Sequence, residues 1–380
     1  MAAFRRAGFA FELLARSGSA RLGVFTTPHG AVETPAFMPV GTKATVKGVL
    51  PRDLRELGAT MILANTYHLH LRPGEDVVEK LGGLHAMMAW PGPILTDSGG
   101  YQVFSLGHMA KVDADGVSLR SVVDGAAVRL TPERVIDIER KLGADVAMAF
   151  DHCPADPTDR AAVAAAVERT HDWLARCVRR HREHGAEDSG QALFPIVQGG
   201  VFEDLRRRSV ASAVEHDCVG HAVGGVSVGE SREHARLAVE MSAPLLPADR
   251  PRYLMGVGTP ADFFDAIERG IDLFDCVTPT RHARNHRAFT SRGEVNLRNA
   301  KHREDLAPLD PACACVCCRD YSRGTLRHLC TSDEMLAGML LSLHNLSYFF
   351  ALMRRIRAAI ATDTLPALRT EVLGALQAEA

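Results

Sequence analysis

The chain has 380 residues, 46% of them hydrophobic and 24% charged, and its formal net charge at pH 7 is −2. These values are typical of a globular protein with one large domain or two ordinary ones, and they exclude a global basic surface, so a nucleic acid would need a local basic patch. No uninterrupted apolar run reaches the roughly 18 residues of a membrane span, and Glu12 breaks the apolar N-terminal stretch, so we expect a cytoplasmic protein without a signal peptide or membrane partner.

The first predicted elements are two strands, FAFELLA and ARLGVF, which flank Ser17-Gly18-Ser19 and indicate a β-hairpin. Eight short apolar runs follow, each ending in polar residues or glycine and separated from the next by a helical stretch. Continuous apolar runs suit parallel strands that are buried on both faces. The runs occupy residues 35–42, 60–67, 93–100, 145–152, 193–200, 219–229, 252–258 and 272–280.

Several of the intervening helices have recognisable ends. Thr131-Pro132 begins one helix and Gly143 ends it, whereas Thr259-Pro260 begins another that ends at Gly270. A third, over 158–185, is rich in alanine and amphipathic. Eight strands alternating with helices predict a (β/α)₈ TIM barrel. Alternating residues between 101 and 130 predict an inserted hairpin.

The tail departs from this alternation from about residue 296. We therefore predict a TIM-barrel catalytic domain over 1–295, a small C-terminal zinc-binding subdomain over 296–350, and a C-terminal helix over 351–380 that returns to the barrel.

Five of the nine cysteines crowd into the tail, at Cys313, Cys315, Cys317, Cys318 and Cys330. An odd total with a tight cluster favours a metal site over a disulfide framework. Cys313, Cys315, Cys318 and His344 offer three thiolates and an imidazole, which is the ligand set of a closed, structural zinc site with one Zn²⁺ per subunit. Cys317 and Cys330 are rival ligands, and unligated core cysteines are the remaining alternative.

The active sites of barrel enzymes lie at the carboxyl ends of the strands. The polar residues and glycines that stand there in this sequence are Asp97, Asp151, Gln198, Gly225 and Asp275. Each alone is a weak signal, since such an aspartate is as often a helix cap, but together they could read a purine edge. Tyr101 and Met255 could stack on a flat ring. Asp97 and Asp275 could share the nucleophile and acid–base roles of a retaining glycosyl transfer, and position alone leaves those roles interchangeable.

A basic stretch follows Asp275 along the chain. Only Glu294 opposes its basic residues, which are Arg281, Arg284, Arg287, Arg292, Arg298, Lys301 and Arg303. Such a run is usually a solvated face. Beside the predicted site, it could instead hold the phosphates of a nucleic acid.

Over nearly its whole length, and in order, the sequence resembles the bacterial tRNA-guanine transglycosylase (queuine tRNA-ribosyltransferase) family. The most specific motifs are DSGGYQVFSL, FDCVTPTR and CxCxxC with the later histidine, supported by NTYHLHLRPG, PIVQGG, RYLMGVG and YSRGTLRHL. The resemblance implies a TIM barrel with a zinc subdomain. It also implies exchange of the wobble guanine of GUN anticodons for 7-aminomethyl-7-deazaguanine in queuosine biosynthesis, with no ATP or redox cofactor.

The resemblance also assigns roles to residues. Asp275 is the implied nucleophile on ribose C1′, and Asp97 is the implied general acid and base. The implied contacts to the base are Asp151, Gln198, Gly225, Val226, Tyr101, Met255 and Ser98. The implied contacts to tRNA are Val277, Arg281 and Arg284. A homodimer is implied as well, with Tyr321 and His328 in its aromatic cluster.

The chain departs from the family pattern at several positions. His152 replaces an acidic residue, and an imidazole there predicts a pH-dependent exchange or an altered base preference near neutrality. The other departures are Val226, Ser227, His282, His286, Thr325 and Met87. Cys153 and Val228 match the bacterial form, whose tight pocket favours the small precursor base.

Three alternatives keep part of this pattern. A family paralogue could use another 7-deazaguanine or a DNA substrate. A non-catalytic tRNA-binding subunit would not need to keep both Asp97 and Asp275. A metal-dependent barrel hydrolase would need histidine and carboxylate ligands at the strand ends, whereas the candidate ligands here are mostly thiolates outside the barrel.

Overall fold

The eight apolar runs form the parallel barrel that they predict. The computed structural model describes residues 3–100, 110–154, 156–226 and 231–378. In chain order the barrel strands are Ala36–Gly41, Ile62–Asn65, Ile94–Asp97, Val146–Met148, the split strand Ala192–Phe194 with Ile196–Val197, His221–Val223, Arg252–Leu254 and Leu273–Cys276. Neighbouring strands pair in parallel, and the eighth pairs with the first. The predicted TIM-barrel class is therefore confirmed.

The fifth barrel strand is interrupted at Pro195, which has no backbone N–H to donate. The half before it pairs with the fourth strand, since Ala149 N donates to Phe194 O over 2.9 Å. The half after it pairs with the sixth strand, since Ala222 N donates to Pro195 O over 2.9 Å. Nine strand segments therefore form one eight-stranded ring.

An antiparallel sheet covers the lower end of the barrel, where the barrel strands begin. Its four strands are Ala3–Arg6, Phe9–Ser17, Ala20–Thr27 and Gly30–Thr34. Phe9, Phe11 and Phe25 are buried in the same apolar cluster as Met38 and Met148 of the barrel interior. The predicted N-terminal hairpin is confirmed, and its sheet closes the end of the barrel opposite the strand termini that carry the polar residues.

The helices outside the barrel begin and end where the sequence places caps. The Thr131 side chain accepts from Arg134 N, and Gly143 ends that helix with a positive φ of 73°. The barrel helices are Pro51–Leu57, Thr66–Leu71, Glu75–Lys80, Gly83–Met87, Pro132–Leu142, Arg160–Glu183, Glu203–Glu215, Arg232–Ser242, Pro260–Ile267 and Thr278–Arg284, with a 3₁₀ turn at Ala243–Leu245.

A small antiparallel sheet lies between the third and fourth barrel strands. Its strands are Lys111–Val112, Val117–Arg120 and Ala127–Leu130. This confirms the predicted hairpin over its second part, whereas residues 101–109 lie outside the described residues.

The tail packs partly in an apolar cluster of its own and partly against the barrel core, to which Phe349, Phe350 and Leu365 belong. It contains a hairpin, Arg287–Thr290 with Gly293–Asn296, a 3₁₀ turn at Ala300–His302, and the helices Val316–Asp320, Arg323–Thr331, Met335–Ala361 and Leu365–Ala378. The last helix contacts the barrel through Arg369, which pairs with Asp265 and Glu268. The division at 296 and 350 stays a prediction, and the Met335–Ala361 helix runs through the second boundary.

The Met335–Ala361 helix is, among the described residues, the single helix whose length and apolar character would allow it to cross a membrane. More than half of the most apolar stretch of this helix is buried inside the protein. Phe349 and Phe350 pack on Phe37 of the first barrel strand, with ring centroids 5.1 and 6.1 Å away. A core helix of a globular domain has these same properties.

Candidate active site and metal cluster

A cavity of about 370 Å³ opens at the carboxyl ends of the barrel strands. Most of the predicted site residues line it, namely Asp97, Ser98, Asp151, Gln198, Gly225, Val226, Met255, Asp275, Val277 and Arg281. Arg284 is exposed and does not line it, and Tyr101 lies outside the described residues. Residues that are far apart in sequence therefore meet at one cavity, where the count of parallel strands predicted that they would lie.

Asp275 is the second-last residue of the eighth strand and is held asymmetrically. Its Oδ1 accepts hydrogen bonds from the Tyr253 hydroxyl and from Gly256 N, each over 2.6 Å. Its Oδ2 accepts none from the residues that the structure describes. Burial raises the pKa of Asp275, although the two hydrogen bonds favour the ionised form. One oxygen is thus fixed by the protein while the side chain faces the cavity.

Asp97 ends the third strand and is anchored by the end of the second. Its Oδ2 accepts from the Asn65 side-chain amide, and its Oδ1 accepts from Thr66 N over 2.9 Å. Thr66 begins the helix that follows the second strand, so Asp97 occupies a helix N-terminus. These contacts fix the carboxylate at the rim of the cavity.

Asp151 and Gln198 form a polar pair across the fourth and fifth strands. Gln198 Nε2 donates to Asp151 Oδ2 over 2.6 Å, and Ser98 Oγ donates to Asp151 Oδ1 over 3.2 Å. Burial raises the pKa of Asp151 to about 6 against those hydrogen bonds. Gln198 Oε1 is buried and has no protein partner among the described residues. An unsatisfied buried acceptor in a cavity wall is a position where a ligand N–H would bind.

Two glycines let the backbone approach this pair. A Cβ on Gly225 would lie 2.5 Å from Gln198 Oε1, and its φ of 68° is unfavourable for other residues. A Cβ on Gly100 would lie 2.7 Å from Asp151 Oδ1. At these two positions the glycine-rich turns keep the cavity wall open.

Three positioning residues were missed by the sequence reasoning. Asn65 and Tyr253 hold the two aspartates. Arg206 is fully buried, and its guanidinium donates to the carbonyls of Val197, Gly200 and Gly224 over 2.9–3.1 Å. It thereby joins the ends of the fifth and sixth strands. Asn65 stands between the end of a strand and the start of a helix, which is a local pattern that could have predicted a site residue. No local pattern marks Arg206 as one.

His152 does not behave as its residue type predicts. Arg169 Nη1 donates to His152 Nδ1 over 2.7 Å, which requires an unprotonated ring nitrogen. Burial, and then the positive charge of Arg169, lower the pKa of His152 to about 4. A titration of His152 near neutrality is therefore not supported, whereas the predicted change in base preference stays a prediction.

The residues of the basic stretch differ in their access to the cavity and in their ion pairing. Arg281 is exposed at its rim. Arg287 faces Glu294 at 4.0 Å, and Arg298 pairs with Asp333 at 2.9 Å. His282 stacks on Phe289 with ring centroids 5.2 Å apart. Among these cations, Arg281 combines exposure with direct access to the cavity.

The four predicted metal ligands converge. Cys313, Cys315, Cys318 and His344 place their ligand atoms within 4.8 Å of one another. His344 Nε2 lies 2.7 Å from Phe289 O, so it carries the proton, and Nδ1 is left facing Cys318 Sγ at 3.2 Å and Cys315 Sγ at 3.7 Å. The group could therefore hold a metal ion.

The rival cysteines are separate from that group. Cys317 and Cys330 are fully buried in the surrounding apolar cluster and are not among the converging ligands. Next to His344, Asn345 donates to Pro279 O and Arg287 O and accepts from Phe289 N. One helix thus contacts both the metal cluster and the segment that follows Asp275.

Comparison with known proteins agrees with this geometry. The family profile described as "Queuine tRNA-ribosyltransferase" matches residues 16–378. A protein of that name from Nostoc sp. is 54% identical over 357 residues, covering 93% of this chain and 94% of the relative. Proteins of the same name from Synechococcus elongatus and Geobacillus kaustophilus are 55% and 50% identical, covering 89% and 95% of this chain and 87% and 94% of those relatives.

Proposed function

Since the chain belongs to the queuine tRNA-ribosyltransferase family and is a tRNA-guanine transglycosylase, a pentosyltransferase of queuosine synthesis, we propose that Asp275 is the nucleophile of its base exchange and Asp97 the general acid and base. The asymmetry of Asp275 carries this proposal. Tyr253 and Gly256 bind Oδ1, whereas Oδ2 has no hydrogen-bond partner among the described residues. A fixed carboxylate with one uncommitted oxygen facing a cavity suits attack on a sugar carbon.

The exchange proceeds in two displacements at ribose C1′. Asp275 Oδ2 bonds to C1′ as the C1′–N9 bond of guanine breaks, and Asp97 supplies a proton to the departing base. The incoming base then returns a proton to Asp97 as its N9 bonds to C1′ and the bond to Asp275 breaks. Two displacements retain the configuration of the sugar. The target nucleotide must leave the anticodon stack to reach the cavity.

The Asp151–Gln198 pair recognises the purine edge. An ionised Asp151 would accept N–H bonds from the pyrimidine ring of guanine, and the unsatisfied Gln198 Oε1 would accept another donor. Gly225 and Val226 form the adjacent wall and Met255 packs on a ring face, with Ser98 supporting Asp151. We extend the same proposal to Tyr101 as the second stacking residue.

The incoming base is 7-aminomethyl-7-deazaguanine, and it replaces the wobble guanine of tRNA with a GUN anticodon. The cavity is small, and buried Cys153 lines it. Arg281 at its rim, with Arg284 and Val277 on the same segment, would position the anticodon phosphates. A paralogue with another 7-deazaguanine is the second candidate, favoured by Val226 in the base-reading wall.

The metal is a structural Zn²⁺, one per subunit. Three thiolates and the Nδ1 of His344 match its preferred tetrahedral set and leave no position for substrate. When bound, the ion would join the segment that carries the three cysteines to the helix Met335–Ala361, whose His344 also donates to Phe289 O.

The protein acts as a cytoplasmic homodimer. Three apolar side chains remain exposed on the first turns of the Met335–Ala361 helix, at Met335, Leu336 and Met339. Such a cluster favours burial against a second copy. Tyr321 and His328 lie on the segment that precedes this helix.

Base exchange with radiolabelled guanine and unmodified tRNA tests the proposal. The intact protein should incorporate label, Asp275→Asn should not, and the matched control Asp249→Asn, at an aspartate before the seventh strand, should be unaffected. Without incoming base, the intact protein should form an adduct with tRNA that survives denaturation. Exchange that persists in Asp275→Asn would show that another group attacks, and no exchange by the intact protein would exclude the function. Competition of 7-aminomethyl-7-deazaguanine and of other 7-deazaguanines against labelled guanine shows which incoming base the protein prefers.

A further inference from the structure

A second cluster of metal-ligand residues lies at the lower end of the barrel, opposite the cavity. His29 Nδ1 is 2.8 Å from Asp145 Oδ1, and His85 Nε2 is 3.1 Å from Asp145 Oδ2. The two imidazole rings stack with centroids 3.7 Å apart. One nitrogen from each ring and a carboxylate oxygen lie within 4.8 Å of one another.

Asp145 is a buried carboxylate without a permanent cationic partner. Its side chain has no exposed surface, and its ion-pair contacts among the described residues are these two histidines. Ile94 N and His29 N donate to its two oxygens over 2.8 and 3.3 Å, which orients the carboxylate toward the rings. Buried carboxylates of this kind are paired or bind metals, and backbone donors that orient a ligand are typical of metal sites.

We propose that His29, His85 and Asp145 form a second metal site, which takes a divalent first-row transition ion such as Zn²⁺. Two imidazole nitrogens and a carboxylate oxygen are ligands that such ions prefer, whereas Mg²⁺ and Ca²⁺ prefer oxygen alone. The His29 side chain is 44% exposed and that of His85 15% exposed, so an ion can enter from solvent. Solvent would complete its coordination.

The three ligands belong to three elements. His29 lies in the turn between the strands Ala20–Thr27 and Gly30–Thr34, and His85 lies on the helix Gly83–Met87. Asp145 directly precedes the fourth barrel strand. A bound ion would therefore fasten the N-terminal sheet and one barrel helix to the barrel, far along the strands from Asp97 and Asp275. It stabilises the fold and takes no part in base exchange.

Metal counting on the full-length protein tests this site. Protein whose thiolate cluster is already filled with zinc is dialysed against Co²⁺, and bound metal is counted by atomic emission. The test variant is His29→Ala with His85→Gln, in which the glutamine amide can still donate to Asp145. The matched control is His184→Ala, since His184 also pairs with a carboxylate, Asp137, at 2.6 Å but has no second histidine there.

We expect the unaltered protein and the His184→Ala control to bind one more equivalent than the double variant. The added Co²⁺ should show ligand-field absorption without a thiolate charge-transfer band, and it should raise Tm only where the extra equivalent binds. No extra equivalent in the unaltered protein, or an extra equivalent that survives in the double variant, would overturn the proposal. A charge-transfer band would also overturn it, because the ion would then be at the cysteines.

Discussion

The Tyr253 hydroxyl donates to Asp275 Oδ1 over 2.6 Å, from the seventh strand to the eighth. Burial, with Asp275 nearby, raises the pKa of Tyr253 well above its usual range, so the hydroxyl keeps its proton and remains a donor. This contact fixes which oxygen of Asp275 is held and which faces the substrate.

Removing that contact should slow exchange without abolishing it. Tyr253→Phe should lower kcat/KM by about 10- to 150-fold, because a hydrogen bond to a charged group contributes about 1.5–3 kcal/mol. It should also move the acid limb of the pH–rate profile to higher pH, since loss of the donor further raises the pKa of Asp275. Exchange measured across pH, with Tyr348→Phe as control, checks both effects. If neither the exchange rate nor the acid limb of the pH–rate profile changes in Tyr253→Phe, Tyr253 has no role in the mechanism.

Asp151 predicts a pH dependence of base binding. Its pKa of about 6 means that the carboxylate is protonated as the pH falls below that value. The ionised form accepts the donors of guanine, so affinity should level off about one pH unit above that pKa and fall about tenfold per pH unit well below it. Equilibrium dialysis of guanine without tRNA isolates this step from the titration of Asp275. Asp151→Asn should flatten the profile, and a pH-dependent affinity in that variant would assign the titration elsewhere.

Gly225 should tolerate no side chain. Gly225→Ala should raise KM for the base about tenfold or more, because its Cβ would displace the Gln198 amide and overpacking costs about 1–3 kcal/mol. Gly125→Ala is the matched control, since that glycine has a similar φ of 74° and no atoms near an added Cβ. Equal effects in the two variants would indicate backbone strain rather than a filled base pocket.

Loss of His344 should release the metal. His344→Ala should weaken zinc binding by more than about 100-fold, since even removal of a residue behind a ligand costs about 10–100-fold. Zinc content and Tm measured after dialysis against a chelator check this. Cys330→Ser should retain the ion, because Cys330 lies outside the converging group. Zinc loss in Cys330→Ser but not in His344→Ala would reverse the ligand assignment.

Arg281 should contribute to tRNA binding and not to the base. Arg281→Ala should raise KM for tRNA, leave KM for the base unchanged, and reduce the salt slope of tRNA binding by about 1. Arg298→Ala should have a smaller effect, because Arg298 is already paired with Asp333. A tRNA titration at several salt concentrations measures both, and equal slopes for all three proteins would place the phosphate contact on another residue.

The sequence predicted elements whose signals are local. All eight barrel runs, the N-terminal hairpin, and the capped helix at Thr131 are found where periodicity and caps placed them, although strands ended earlier wherever a helix began, as at Thr66 and Thr278. The polar rim was predictable because the carboxyl ends of parallel strands meet. Interactions between residues that are distant in sequence were not predictable, since nothing near Arg206 or Asn345 in the sequence indicates which carbonyls they bind. His152 shows the same limit, because its pKa is lowered by burial and then by the positive charge of Arg169 on another element.

The break at Pro195 puts the base-reading pair on the two sides of one junction. Asp151 follows the strand that pairs with the first half, and Gln198 follows the second half. The ring is completed only when Leu273–Cys276 pairs with Ala36–Gly41. A growing chain on the ribosome therefore lacks a base pocket until almost three quarters of it has been made, and occupancy by a free base would report that a newly made barrel has closed.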